Sequence, residues 1–203
     1  MKDTALGHSV IGLYGVVAVG KTTLAHELTR VINTSEVQST DNLIALQRSL
    51  HPDDLRSAAP SYLAWTIYGD RTPSNVARGF STYRESIAPF ISTLIERAAR
   101  EQFTLILDGI HFGPGYLGRD GGISIVPLLL VVKDEAAHRS RIHQKCCGRT
   151  DLEARLLEHF DTIRIIQTFL IEEAGKAGTC VVETGAATIQ QSLHVVRELL
   201  CDS

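Results

Sequence analysis

No apolar run in this 203-residue chain approaches the roughly 20 residues needed to span a bilayer, and its opening stretch, MKDTALGHSV, has no hydrophobic core of a secretory leader. Membrane-spanning and exported classes are therefore not expected, and the chain reads as cytoplasmic. Charge of one sign is also lacking: 20 Lys and Arg stand against 23 Asp and Glu, a net charge of −3. Nothing here would hold a nucleic acid by bulk electrostatics, so neither a nucleic-acid nor a membrane partner is expected. Cysteine is scarce. Cys146, Cys147, Cys180 and Cys201 show no metal-ligand spacing, and the adjacent Cys146 and Cys147 pair poorly as a disulfide, so the thiols read as reduced. No internal repeat and no low-complexity segment is present.

What remains is an ordinary globular composition, 44% hydrophobic, in a length that suits one sizeable core. A single domain over residues 1–203 is expected, with a small-molecule partner; a homodimer is an admissible assembly.

The chain alternates strand and helix signals. SVIGLY (Ser9–Tyr14) is a short apolar strand, followed by Leu24, Leu28, Val31 and Ile32 at helical spacing. EVQS (Glu36–Ser39) reads as a second strand, with Asp41 as candidate N-cap of a helix over NLIALQRSL. Residues 51–75, which hold Pro52, Pro60 and Pro73, read as irregular. An amphipathic helix follows, with Ile87, Phe90, Ile91, Leu94, Ile95 and Ala98 on one face. FTLILD (Phe103–Asp108), IVPLLLVV (Ile125–Val132) and TCVVE (Thr179–Glu183) complete five strands. Thr150-x-x-Glu153 predicts a capping box opening one long helix to about Ala174, and Thr188-x-x-Gln191 caps a last helix. Buried strands separated by helices predict an α/β fold with a parallel sheet covered on both faces.

One motif sets the chemistry. GVVAVGKTT, Gly15 to Thr23, fits G-x-x-x-x-G-K-[ST] between a predicted strand and a predicted helix. Such a loop turns backbone N–H groups inward around phosphates and adds the positive end of a helix dipole. Gly15, Ala18, Val19, Gly20, Lys21, Thr22 and Thr23 are thus the candidate ATP-binding residues. Lys21 is assigned to the β- and γ-phosphates and Thr22 to Mg²⁺. Asp108, an acid ending an apolar strand, is the second candidate Mg²⁺ ligand and a candidate catalytic residue. GPGYLG (Gly113–Gly118) matches G-x-G-x-x-G literally, but Pro114 and the RDGG beyond it open no helix, so no dinucleotide site is expected. No Asn-Lys-x-Asp sequence exists to read guanine.

Four further segments, DGIHFGPG (Asp108–Gly115), STDNL (Ser39–Leu43), VKDEAAHRSR (Val132–Arg141) and FDTIRIIQTFLIEEAGKAG (Phe160–Gly178), resemble the 2-phosphoglycerate kinase family, a branch of the P-loop small-molecule kinases. That family typically reads Glu-Gly-Val-His-x-x-Pro-Gly after its third strand and Ser-Thr-Asp after its second. The likeness runs from about Val10 to Val182 and is weakest over 51–75. It implies the P-loop nucleotide-kinase three-layer sandwich, a five-stranded parallel sheet in order 2-3-1-4-5 with a helical, arginine-bearing lid. It also implies transfer of the ATP γ-phosphoryl group to the hydroxyl of a phosphorylated three-carbon acid. Two features depart from the family: Asp108 stands where Glu is usual, and the extra N-terminal domain of some members is not in this sequence.

On this reading Asp41 orients or deprotonates the acceptor hydroxyl, with helix capping as its alternative role. His111 is assigned to the acceptor, or alternatively to packing of the Pro-Gly loop. Cations should close over the transferring group; the candidates are Arg139, Arg141, Arg149 and Arg164, of which Arg149, beside Gly148, is the catalytic choice. Arg78 and Arg84, near GFSTY (Gly79–Tyr83), are candidates for an anionic acceptor. The acceptor-side helical region is expected over about 51–85 and the lid over about 139–155. Two alternatives stay open: a P-loop kinase acting on a neutral molecule such as an antibiotic or sugar-nucleotide, for which Arg78 and Arg84 would be dispensable, and an ATP-binding switch with no acceptor.

Overall fold

The computed structural model describes residues 8–32, 35–116, 122–185 and 187–201. Five strands, β1 (Ser9–Tyr14), β2 (Ser35–Ser39), β3 (Thr104–Gly109), β4 (Ser124–Val131) and β5 (Cys180–Glu183), form one sheet in the order β2-β3-β1-β4-β5, with every pairing parallel. β1 and β3 are buried at every position, which is why they read as unbroken apolar runs rather than alternating ones. Pro127 sits in β4 opposite Gly12 but ahead of Leu128, where pairing with β5 begins. A residue with no N–H is tolerated there because one side of the strand has no partner to serve.

The first half of the chain carries α1 (Lys21–Val31), α2 (Thr40–Leu50), α3 (Leu55–Ala58), a 3₁₀ helix (Ser61–Tyr68), α4 (Pro73–Glu85) and α5 (Ala88–Glu101). The second half carries α6 (Glu135–Cys146), α7 (Thr150–Glu158), α8 (Phe160–Ala177) and α9 (Ile189–Cys201). α1 packs on β1 to β3 and against α9; α5 lies on β1 and β3, and α8 on β4 and β5. The stretch 51–75 is more ordered than its prolines suggest, because α3, the 3₁₀ helix and the start of α4 all fall within it. The part of GPGYLG from Leu117 onward lies outside the described residues.

Two helix starts differ from the sequence expectation. Ser39, not Asp41, caps α2: its hydroxyl accepts from the Asp41 N–H at 3.3 Å, leaving the Asp41 carboxylate out of the cap. The Thr150 capping box does not form. Arg149 occupies the cap position without a side-chain bond, and the Glu153 carboxylate pairs with His143 Nδ1 at 2.8 Å instead. The long helix expected from Thr150 is two helices, broken at His159. The box at Thr188 does form: the Thr188 N–H donates to Gln191 Oε1 at 2.7 Å and the Gln191 N–H to Thr188 Oγ1 at 3.2 Å.

Candidate active site

The loop Gly15–Gly20 joins β1 to α1 at the carboxyl edge of the sheet. Gly15 adopts φ +145, and a Cβ there would run into the Leu130 carbonyl, so only glycine fits. Gly20, at φ +93, precedes the first turn of α1, and no side chain caps that helix. Its leading N–H groups therefore have no side-chain cap, the arrangement in which a helix start can hold an anion. Two outside residues brace the loop: His138 Nε2 donates to Val17 O at 2.8 Å, and Thr184 Oγ1 donates to Val19 O at 2.7 Å. The His138 ring is buried, and burial holds its pKa below the usual imidazole range against the upward pull of the Val17 contact.

Lys21 Nζ donates to Val16 O at 2.8 Å within the same loop. Burial pulls its ammonium down to about 8, against the upward pull of Asp108 and Asp41. Thr22 Oγ1 donates to Asp108 Oδ2 at 2.6 Å, tying the head of α1 to the end of β3. Asp108 thus still reaches the threonine despite being one methylene shorter than the glutamate usual in the family it resembles. A hydroxyl and a carboxylate are hard oxygen donors, and together they fit Mg²⁺.

Next to Asp108 the chain passes very close to α2. A Cβ on Gly109 would collide with the Thr40 hydroxyl, so the residue after the acid must be glycine. Thr40 Oγ1 in turn lies 2.7 Å from His111 Nδ1, and His111 Nε2 lies 3.2 Å from the Tyr83 hydroxyl. His111 is 2% exposed, and desolvation, with Lys21 and Arg48 nearby, lowers its pKa to about 3. It is therefore a neutral imidazole fixed at both nitrogens, and its 3.9 Å approach to Asp41 Oδ1 is not an ion pair. The Asp41 side chain is 81% exposed, so its carboxylate is open to a ligand.

Two cavities flank this cluster. One, of about 490 Å³, is lined by Ala18, Gly20 to Leu24, Leu130, Arg141, Thr184 and Ser192 among others. The second, of about 340 Å³, is lined by Asp41, Arg48, Tyr62, Tyr83, Asp108 and His111, with an aliphatic wall. Three residues border both: Lys21, Thr22 and Lys145. Lys145 is exposed, at the end of α6, ahead of the turn in which Cys147 and Gly148 both take positive φ.

Most of the sequence-selected arginines are engaged elsewhere. Arg84 is 1% exposed; it forms a two-pronged ion pair with Glu173 at 2.7 and 2.9 Å, under the rings of Phe80, Tyr116 and Phe169. Arg78 stacks on Tyr68 and Arg139 on Phe160. Arg149 donates to the carbonyls of Lys145 and Cys146, closing the end of α6, and Arg164 donates to those of Val132 and Lys133. Of these six candidates only Arg141, which holds Thr184 through its hydroxyl and its carbonyl, borders either cavity. The acceptor-anion assignment of Arg78 and Arg84 and the phosphate assignment of Arg149 are not supported by these positions. Their charge is matched by the Glu173 carboxylate, an aromatic face or helix carbonyls.

Sequence reasoning does not single out Arg48 and Lys145. Arg48 had a legible signal: Asp41, Ile44 and Arg48 stand at i, i+3 and i+7 of α2, one helical face, and all three line the second cavity. Lys145 had none, as one of several cations within a few residues.

Sheet order, loop and strand-end acid together define the P-loop nucleotide-kinase fold. Solved structures agree. A deoxyadenosine kinase from M. mycoides superposes with a TM-score of 0.53 at 11% identity, over 96% of this chain and 100% of that one. A thymidylate kinase from Candida albicans superposes at 0.52 and 16%, over 96% and 91%. No protein-family model matches the chain. Among curated proteins, the 2-phosphoglycerate kinase of Pyrococcus horikoshii is 30% identical over 181 residues, 86% of this chain and 58% of that protein. The corresponding enzyme of Methanocaldococcus jannaschii is 27% identical over 198 residues, 94% and 64%. The mevalonate-3-phosphate 5-kinase of Thermoplasma acidophilum is 26% identical over 172 residues, 84% and 85%. The chain is a distant homologue of the 2-phosphoglycerate kinases and spans less than two thirds of the length of these two.

Proposed function

We propose that the chain is an ATP- and Mg²⁺-dependent kinase that transfers the γ-phosphoryl group to a hydroxyl of a small anionic metabolite. The observation that carries this reading is the junction of the two cavities. A triphosphate on the loop side and a hydroxyl on the other would meet beside Lys21, Thr22 and Lys145, with Asp41 and Asp108 on the acceptor side.

Each residue then has a physical task. Lys21 and the N–H groups at the head of α1 hold the β- and γ-phosphates. Thr22 and Asp108 would hold Mg²⁺, which supplies charge neutralisation on the phosphate oxygens. Asp41 accepts the proton of the acceptor hydroxyl as its oxygen forms the new bond to phosphorus and ADP departs. Lys145 meets the negative charge spread over the transferring group. His111 stays neutral and fixes Thr40, and through Thr40 the start of α2 that carries Asp41.

An anionic acceptor is favoured by Arg48 in the second cavity. It is also favoured by the relatives, which are named for 2-phosphoglycerate and mevalonate 3-phosphate. A switch protein would need no second cavity with a carboxylate open to it. The test is an acceptor screen with ATP and Mg²⁺, scored by ADP release, across 2- and 3-phosphoglycerate, mevalonate 3-phosphate and related hydroxy acids. Acceptor-dependent ADP release is expected. ATP binding with no acceptor-dependent release would favour the switch reading.

A further inference from the structure

The second cavity is asymmetric. Its α2 side is polar at both ends: Asp41 stands near the loop, and Arg48 lies two turns further on, about 10 Å along the helix at 1.5 Å per residue. Between them stands Ile44. The residues of α7 and α8 that border the cavity are all aliphatic: Leu156, Ile163 and Ile166. Arg48 is fixed rather than free to swing. Its Nε donates to Ser57 O at 2.6 Å and its Nη2 to Ala59 O at 2.9 Å, and Nη1 takes part in neither bond.

An acceptor in this cavity with its hydroxyl at Asp41 and an anionic group toward Arg48 would set its middle beside Ile44 and the aliphatic residues of α7 and α8. A three-carbon phosphorylated acid fits that division poorly. All its carbons carry oxygen, so whatever lies against Leu156, Ile163 and Ile166 is a polar group deprived of water and left without a partner.

Resting on the kinase reading above, we propose that the acceptor is a hydroxylated carboxylate or phosphate ester with an unoxygenated, branched or straight aliphatic segment between its hydroxyl and its anionic group. The aliphatic segment packs on Ile44, Ile163 and Ile166; Arg48 takes the anion; Asp41 takes the hydroxyl.

The experiment measures kcat/KM, with saturating ATP and Mg²⁺, for 2-phosphoglycerate, mevalonate 3-phosphate and straight-chain hydroxy carboxylates of increasing length. It uses the intact chain and its Ile163→Thr variant, and ATP affinity is measured on both by calorimetry. The aliphatic acceptors should exceed 2-phosphoglycerate by about tenfold or more, and Ile163→Thr should cut that advantage by about tenfold with ATP affinity unchanged, the scale of one or two methyl contacts in a pocket. A preference for 2-phosphoglycerate, or a ratio that Ile163→Thr does not move, overturns the inference and leaves the kinase reading intact. ATP binding without turnover of any member of the series also overturns it. Absence of ATP binding by the folded chain defeats the kinase reading itself.

Discussion

Thr22 and Asp108 stand 86 residues apart and share a 2.6 Å hydrogen bond. That bond joins the helix that follows the phosphate loop to the end of the neighbouring strand, and the register fixes it: β1 and β3 run side by side with Leu13 opposite Asp108. Any divalent ion placed between loop and strand end meets both groups at once, while Lys21 lies within electrostatic reach of the same carboxylate.

Lys21 gives the site a pH signature. Its pKa is lowered from 10.5 to about 8, so the folded chain binds fewer protons than the unfolded chain between about pH 8 and 10.5. This group's cost to stability is complete below about 8 and is relieved as pH rises through that window. Nucleotide binding should run the other way, because phosphates pair with the ammonium form. ATP affinity should fall by up to about tenfold per pH unit above 8, and Lys21→Arg, which stays charged, should flatten that slope. Calorimetric titrations from pH 7 to 9.5 decide it; a flat wild-type profile contradicts the assignment.

Lys145 should matter to rate rather than to ATP affinity. Lys145→Met is expected to lower kcat by on the order of 10²–10³ with the ATP dissociation constant changed little, and Lys145→Arg should restore much of the loss. A parallel loss of ATP affinity would show that Lys145 binds the ground state uniformly.

Arg84→Ala should destabilise rather than raise an acceptor KM. Removing the guanidinium strands Glu173, 28% exposed in the ion pair, and empties a cage of three aromatic rings, a loss on the order of 2–4 kcal/mol. Thermal unfolding of the variant measures it. A normal melting temperature with a raised acceptor KM would return Arg84 to the anion-binding role.

The loop and the sheet were legible because their signals are local. Gly15 to Thr23 must be contiguous to wrap phosphates, and β1 and β3 are apolar throughout because both faces are covered. The fate of the arginines was not legible, since it depends on distant partners: nothing near Arg84 announces Glu173, 89 residues on. Arg149 stands four residues after Lys145, and the positive φ angles at Cys147 and Gly148 turn the chain there, with Arg149 reaching back to the carbonyls that close α6 while Lys145 stays on the helix. Asp41 reads as a cap, the alternative to its role at the acceptor hydroxyl, only while the helix is taken to start at Asn42. With Ser39 as the cap, the same sequence shows Asp41, Ile44 and Arg48 as one face.

That shift frees Asp41 for chemistry and gives the most direct measurement: transfer of labelled γ-phosphoryl from ATP to the best acceptor, compared between wild type and Asp41→Asn, with ATP affinity and melting temperature recorded on both. Because Ser39 makes the cap, stability should hold, and because the nucleotide contacts lie in the loop, ATP affinity should hold. The rate of transfer should fall by on the order of 10²–10⁴, the contribution of a positioned base. Transfer at the wild-type rate by folded, ATP-binding Asp41→Asn would contradict the assignment of Asp41 as that base.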